Sequence, residues 1–195
     1  MIRIAIKWSV KKLGVLCGAE NAEFIKSLLN DKFFMEVCNF SALQRRKSDD
    51  VRVLLQAMLL LDKQRKKYEY ASLSDDELMR YAVHIKTNYS EKQKERLYDI
   101  IDYLEKVFPV WEKRLRKKEI PIVILCADLA MGDEYNGAMS IYRIETENFR
   151  RWFNYFFENM YEEYSLYCSV GSNQKEKVVK RVEIMEKAFR EYMAL

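Results

Sequence analysis

A single histidine, His84, sets the first limit on the chemistry open to this chain. An HNH or His-Me nuclease uses at least two imidazoles, and a Ser-His-Asp relay would depend on His84 alone. It follows Tyr81, Ala82 and Val83 on or beside the apolar stripe of a helical stretch, the position of a half-buried structural imidazole. The cysteines Cys17, Cys38, Cys126 and Cys168 stand singly, with no C-x-x-C pair, and three lie in apolar stretches. They read as buried reduced thiols and not as zinc ligands or disulfide partners. The acidic pairs Asp49/Asp50, Asp75/Asp76 and Glu162/Glu163 could in principle hold Mg²⁺, but the first two sit at helix starts, where capping and the helix dipole account for them. Neither G-x-x-x-x-G-K-[ST] nor G-x-G-x-x-G occurs. The expectation is a binding protein with no catalytic residue, no metal site and no cofactor.

Binding would have to come from clustered charge. The net charge of +4, from 34 basic and 30 acidic residues, is mild for a nucleic-acid-binding domain, so such a role rests on where the cations gather. Four clusters occur: Arg45-Arg46-Lys47, Lys63 to Lys67, Lys113 to Lys118, and Lys175, Lys177, Lys180 and Arg181. One cluster alone can be explained as cations favouring a helix C-terminus, whereas two or more on one face would make a phosphate-binding surface. The expected nucleic-acid site is Arg65, Lys66 and Lys67 with Arg116, Lys117 and Lys118, converging on one edge and binding backbone phosphates without sequence preference. Arg45, Arg46 and Asp49 are expected to form a structural motif in which one arginine of the pair meets an acid or carbonyls near the start of the next helix, Arg46 lying on the chain that approaches Asp49. The aromatic residues from Phe149 to Tyr167 could stack bases, but their 3–4 spacing is that of a core helix, leaving Tyr161, Tyr164 and Tyr167 partly exposed.

The elements that carry these residues are helical. Five Gly and two Pro are too few for the turns of a sheet-rich protein. The reading is all-α, a single bundle of seven or eight helices over residues 1–195, with 1–20 as a peripheral N-terminal helix broken at Gly14 and Gly18. Helices are predicted near 49–67, 75–88, 91–107, 147–165 and 174–193. Ser48, Ser74, Ser90, Thr146 and Ser172 open them, and capping boxes are expected at Ser74–Glu77 and Ser90–Gln93. Ile120 to Met131 reads as a short apolar helix with Pro121 in its first turn, although Ile120 to Cys126 is also β-prone. Gly132 to Gly137 reads as a loop. Leu55, Leu59, Ile101, Leu104, Trp152, Phe156, Val182 and Phe189 are the expected core.

The longest apolar run, Ile120 to Ala127, is far short of the ~20 residues that span a bilayer. Arg3, Lys7, Lys11 and Lys12 interrupt the apolar residues at the start, so no signal-peptide core forms there and a cytoplasmic location is expected.

The segment from Phe33 to Phe40, then Arg45-Arg46-Lys47-Ser48-Asp49 and the apolar helix to Leu55, resembles the helical region that follows the ParB-like nuclease domain in modification-dependent restriction proteins of the GmrSD type. The order beyond it is similar too: a helix with Leu78 and Tyr81, another from Leu97 to Phe108, an apolar helix at Pro121 and a closing basic helix with Arg181. The resemblance implies a helical module of a restriction-like defence system that binds DNA or a nuclease subunit. That family's nuclease domain carries an Asp-Gly-x-x-Arg motif, which is absent here, so none of its catalytic residues transfers to this chain. A stand-alone adaptor or inhibitor from a mobile element, using an apolar helix face, is the alternative. An enzyme built on His84 and acids ranks below both.

Overall fold

The computed structural model describes residues 8–132 and 144–194. Residues 2–7 of the first expected helix, and the loop of 132–137 beyond Gly132, lie outside the described residues. The chain is an all-α bundle. Its elements are α1 (Val10–Cys17), α2 (Ala19–Leu29), a π-helical turn (Phe33–Val37), α3 (Ala42–Arg46), α4 (Asp49–Gln64), α5 (Asp75–Asn88), α6 (Glu91–Val107), α7 (Ile120–Met131), α8 (Thr146–Asn159), α9 (Tyr161–Leu166) and α10 (Lys175–Met193). Among the described residues there is no strand, only an isolated bridge between Ser72 and Gln174. The helices outnumber the seven or eight expected because α3, α9 and the π-turn are too short for apolar periodicity to register.

α7 is the axis of the fold. It packs against α4, α6 and α10, and all its residues except Leu129 and Met131 are buried. A segment enclosed on all sides by helices can satisfy its backbone only within itself, which explains why the β-prone run Ile120 to Cys126 is helical. α4 and α7 run parallel. Lys117, just ahead of α7, bonds Asp49 at the start of α4, whereas Arg65, just past α4, bonds Asp128 late in α7.

The expected core residues are buried, with one exception. Val182 is half-buried because the inward stripe of α10 runs through Val178, Arg181, Ile184, Met185, Ala188 and Phe189. An arginine occupies the place that apolar periodicity assigned to its neighbour. The aromatic stretch divides at Met160 into α8 and α9, and Tyr164 turns inward to full burial, contrary to its expected exposure. Its hydroxyl donates to the Lys118 carbonyl at 2.9 Å, which satisfies the polar tip that burial would otherwise strand.

The caps differ in detail. Ser90–Gln93 forms its capping box, and so does Ser41–Gln44, which the sequence reading passed over. Ser74–Glu77 does not: Glu77 instead accepts from the Tyr68 hydroxyl at 2.8 Å and the Ala71 amide at 3.3 Å. Ser48 stands ahead of α4 in a left-handed conformation (φ 58°) with no side-chain cap, and Glu145 and Gln174, not Thr146 and Ser172, cap α8 and α10. Gly14 lies inside α1, leaving the break to Gly18.

Candidate functional site

The two clusters expected to converge lie apart. Lys63 to Lys67 closes the far end of α4. Lys66 adopts φ 57°, its amide donates to the Lys63 carbonyl, and the Lys67 amide donates to the Asp62 carbonyl at 2.7 Å, the paired bonds of a Schellman cap. Arg65 turns inward to Asp128 at 2.8 Å, sharing that carboxylate with Arg96 at 2.8 Å. Lys113 to Lys118 belongs to the opposite end, where Lys117 reaches Asp49. The sixteen residues of α4 between them span roughly 24 Å, more than twice the screening length of about 10 Å at 0.1 M salt.

Two other clusters join Lys113 to Lys118 instead. The segment after the π-turn lies along it: the Asn39 amide donates to the Leu115 carbonyl at 2.8 Å, the Asn39 carboxamide donates to the Lys113 carbonyl at 2.9 Å, and the Glu112 amide donates to the Val37 carbonyl at 3.0 Å. That brings Arg45-Arg46-Lys47 to the same end. From α10, Arg181 donates to the Lys118 carbonyl at 3.3 Å and to the Ser172 carbonyl at 2.7 Å. Basic residues from three segments distant in sequence therefore surround the leading end of α7.

Some of these cations are occupied. Arg45 donates to the Phe34 carbonyl at 2.5 Å and the Met35 carbonyl at 3.2 Å, lies 3.7 Å from Asp50 and covers the Phe40 ring. It is the one structural arginine expected of the pair, reaching Asp50 and the π-turn carbonyls. Arg46 is exposed and its side chain has no partner among the described residues. Asp49 pairs with Arg52 and Lys117, one turn onward and across the bundle. Lys118 donates to the Cys168 carbonyl. Arg116 is half-exposed over the Tyr161 ring, 3.6 Å from Glu119. Lys47 and Lys113 are exposed, again with no side-chain partner among the described residues.

Beneath this edge lies a cavity of about 300 Å³, lined by Asp49, Arg52, Asp75, Lys117, Lys118 and Arg181 among others. Arg52 bridges both acids, meeting Asp75 at 2.6 Å as well as Asp49. Leu73 donates to the Asn173 carbonyl at 2.8 Å and so ties the start of α10 to that of α5 at the cavity wall. Sequence reading missed the inward role of Arg181. The available signal was a cation on the apolar stripe, three residues after Val178 and four before Met185.

The groups that could have carried chemistry are otherwise engaged. His84 is half-buried, 5.0 Å from the Tyr68 ring and nearly parallel to Tyr81. The four cysteines are free. Burial pushes the Cys17 thiol up to about 11 and those of Cys38 and Cys126 well above the ordinary range, so they stay protonated and unreactive. Among the described residues no three His, Cys, Asp or Glu side chains gather as metal ligands, and no helix is long and apolar enough to cross a membrane. Comparison with family models, with curated proteins and with solved structures finds no match to this chain.

Proposed function

We propose that this chain is a non-catalytic binding module that holds nucleic acid by its phosphates, weakly and without sequence preference, at the leading end of α7. The observation that carries the reading is the meeting there of Arg46, Lys47, Lys113 and Arg116, exposed cations on two segments that hydrogen-bond to each other. Arg46, Lys47 and Lys113 have no counter-charge among the described residues, and Arg116 is half-exposed beside Glu119, so these cations can exchange their counterions for phosphates. Trp111, 58% exposed two residues before Lys113, offers a ring on which a base can stack. It takes the role that the sequence reading considered for Phe149 to Tyr167, whose larger rings are in the core. The cytoplasmic, restriction-like setting and a nuclease subunit as partner remain part of this proposal. The defence setting and the nuclease subunit rest on the resemblance over Phe33 to Phe40 and Arg45 to Leu55, and the location on the charges that interrupt the first apolar stretch.

Fluorescence anisotropy with labelled single- and double-stranded oligonucleotides at low salt tests the reading. Replacing Arg46, Lys47, Lys113 and Arg116 with Glu should abolish binding, whereas Lys66→Glu with Lys67→Glu should leave it nearly unchanged. Each phosphate contact contributes about 0.9 to the slope of log affinity against log salt, so four cations should give a slope of roughly −3 to −4 on duplex DNA. No binding at micromolar protein removes the nucleic-acid reading and moves a protein partner ahead of it.

A further inference from the structure

Arg181 is a buried cation with no carboxylate in ion-pair contact among the described residues. It is 3% exposed, its two terminal nitrogens donate to backbone carbonyls, and its Nε is buried with no hydrogen-bond partner. The buried Glu119 carboxylate acts on its charge from beyond ion-pair distance, while facing the half-exposed Arg116 at 3.6 Å and accepting from the Tyr161 hydroxyl at 3.1 Å, with its Oε2 lacking a hydrogen bond. An ion taken out of water without a counter-ion is costly, and proteins normally pair it. Lys118, partly buried, bonds the Cys168 carbonyl and no acid among the described residues. Both residues line the 300 Å³ cavity.

The rest of the cavity fits an anion. Its two carboxylates, Asp49 and Asp75, are already matched by Arg52 and Lys117, so Arg181 and Lys118 leave an excess of two positive charges. The leading ends of α4, α5 and α10 meet at its wall without side-chain caps, and acids in their first turns offset their dipoles, so the excess charge of the cavity is that of Arg181 and Lys118. Ser172 and Asn173 add polar groups to the lining. We propose that this cavity binds a small phosphomonoester dianion, whose phosphate supplies the counter-charge to Arg181 and Lys118. Its volume stands at the lower end of the range for small-molecule sites, ~300–1,000 Å³, which suits a phosphate carrying a group no larger than a nucleoside. The site is separate from the exposed cations above, and the inference holds whether or not they bind nucleic acid.

Titration calorimetry and thermal melts of the full chain at low ionic strength provide the test. The probes are inorganic phosphate, nucleoside 5′-monophosphates, the matching nucleosides, and chloride at equal ionic strength. Monophosphates should bind saturably and, at a hundredfold excess over Kd, raise Tm by about 5–10 °C, whereas nucleosides and chloride should not. Arg181→Gln and Lys118→Gln should each weaken binding roughly 10- to 100-fold, as expected for losing a charge-assisted hydrogen bond. Should Arg181→Gln fail to fold, Lys118→Gln decides alone, because its side chain is only partly buried. A 5′-phosphorylated oligonucleotide that binds more tightly than the same strand with a 5′-hydroxyl, the difference being lost in Lys118→Gln, would identify a strand end as the source of the same group. Absence of saturable binding by any monophosphate, or unaltered binding in folded variants, overturns the proposal.

Discussion

Glu105 shows how one carboxylate can set a pH dependence. Burial, and then a hydrogen bond shared with Asp31, push its carboxyl up to about 7, against the opposing pull of the Phe33 amide that donates to it at 2.9 Å. A folded-state value above the unfolded one means the native chain holds the proton more tightly, so stability falls as pH rises from about 4.5 to about 7 and levels off above. Asp50, Asp62, Glu119 and Glu186 are shifted upward by burial as well, so they bend the curve the same way. Thermal melts from pH 4.5 to 8 should show a declining Tm in the parent chain and a shallower decline in Glu105→Gln. Equal slopes would show that Glu105 titrates normally. Lys66 offers a second test at this scale. A left-handed backbone crowds its Cβ, which glycine lacks, so Lys66→Gly should stabilise the fold by about 1 kcal/mol in urea denaturation. A loss of stability would show that its side chain does more than end a helix.

At the scale of elements, the sequence was most legible where periodicity was long. The predicted bounds of 75–88 and 91–107 match α5 and α6, and those of 174–193 differ from α10 by one residue. Leu59, Leu104 and Trp152 are buried as their spacing implied. Apolar spacing identifies an inward face but not which charged residue shares it, so Arg181 and Val182 exchanged their expected places. Where two basic clusters meet is illegible without the packing: the reading joined Lys63 to Lys67 with Lys113 to Lys118, and α4 holds them apart. Arg65 was expected on the phosphate-binding edge with Lys66 and Lys67, but an acid from another helix draws it in. Asp128 receives both Arg65 and Arg96, all three largely buried. Asp128→Ala strands two arginines and should cost ~3–5 kcal/mol, the usual consequence of removing one partner from a buried pair. Denaturation showing a loss below about 1 kcal/mol would mean that water reaches the guanidinium groups.

For the molecule as a whole, the parallel seating of α4 on α7 governs the order of assembly. α4 packs on α5 and α6 packs on α7, and each of these pairs can close early over a short stretch of chain. Joining α4 to α7 must instead close a loop of more than sixty residues, as the separations of 68 for Asp49–Lys117 and 63 for Arg65–Asp128 record. Ordering that much chain for few initial contacts delays the step, so the α4–α7 seam should form after the folding transition state. A substitution confined to the seam would then leave the refolding limb of a chevron plot nearly unmoved and raise the unfolding limb. Arg65→Met, which breaks the link to Asp128, should behave in this way in stopped-flow urea jumps; a slowed refolding limb would place the seam in the nucleus. Late closure also implies a kinetic vulnerability. The half-assembled chain would expose the faces of α4 and α7 rich in Leu, Ile and Val, and refolding yield should fall as protein concentration rises.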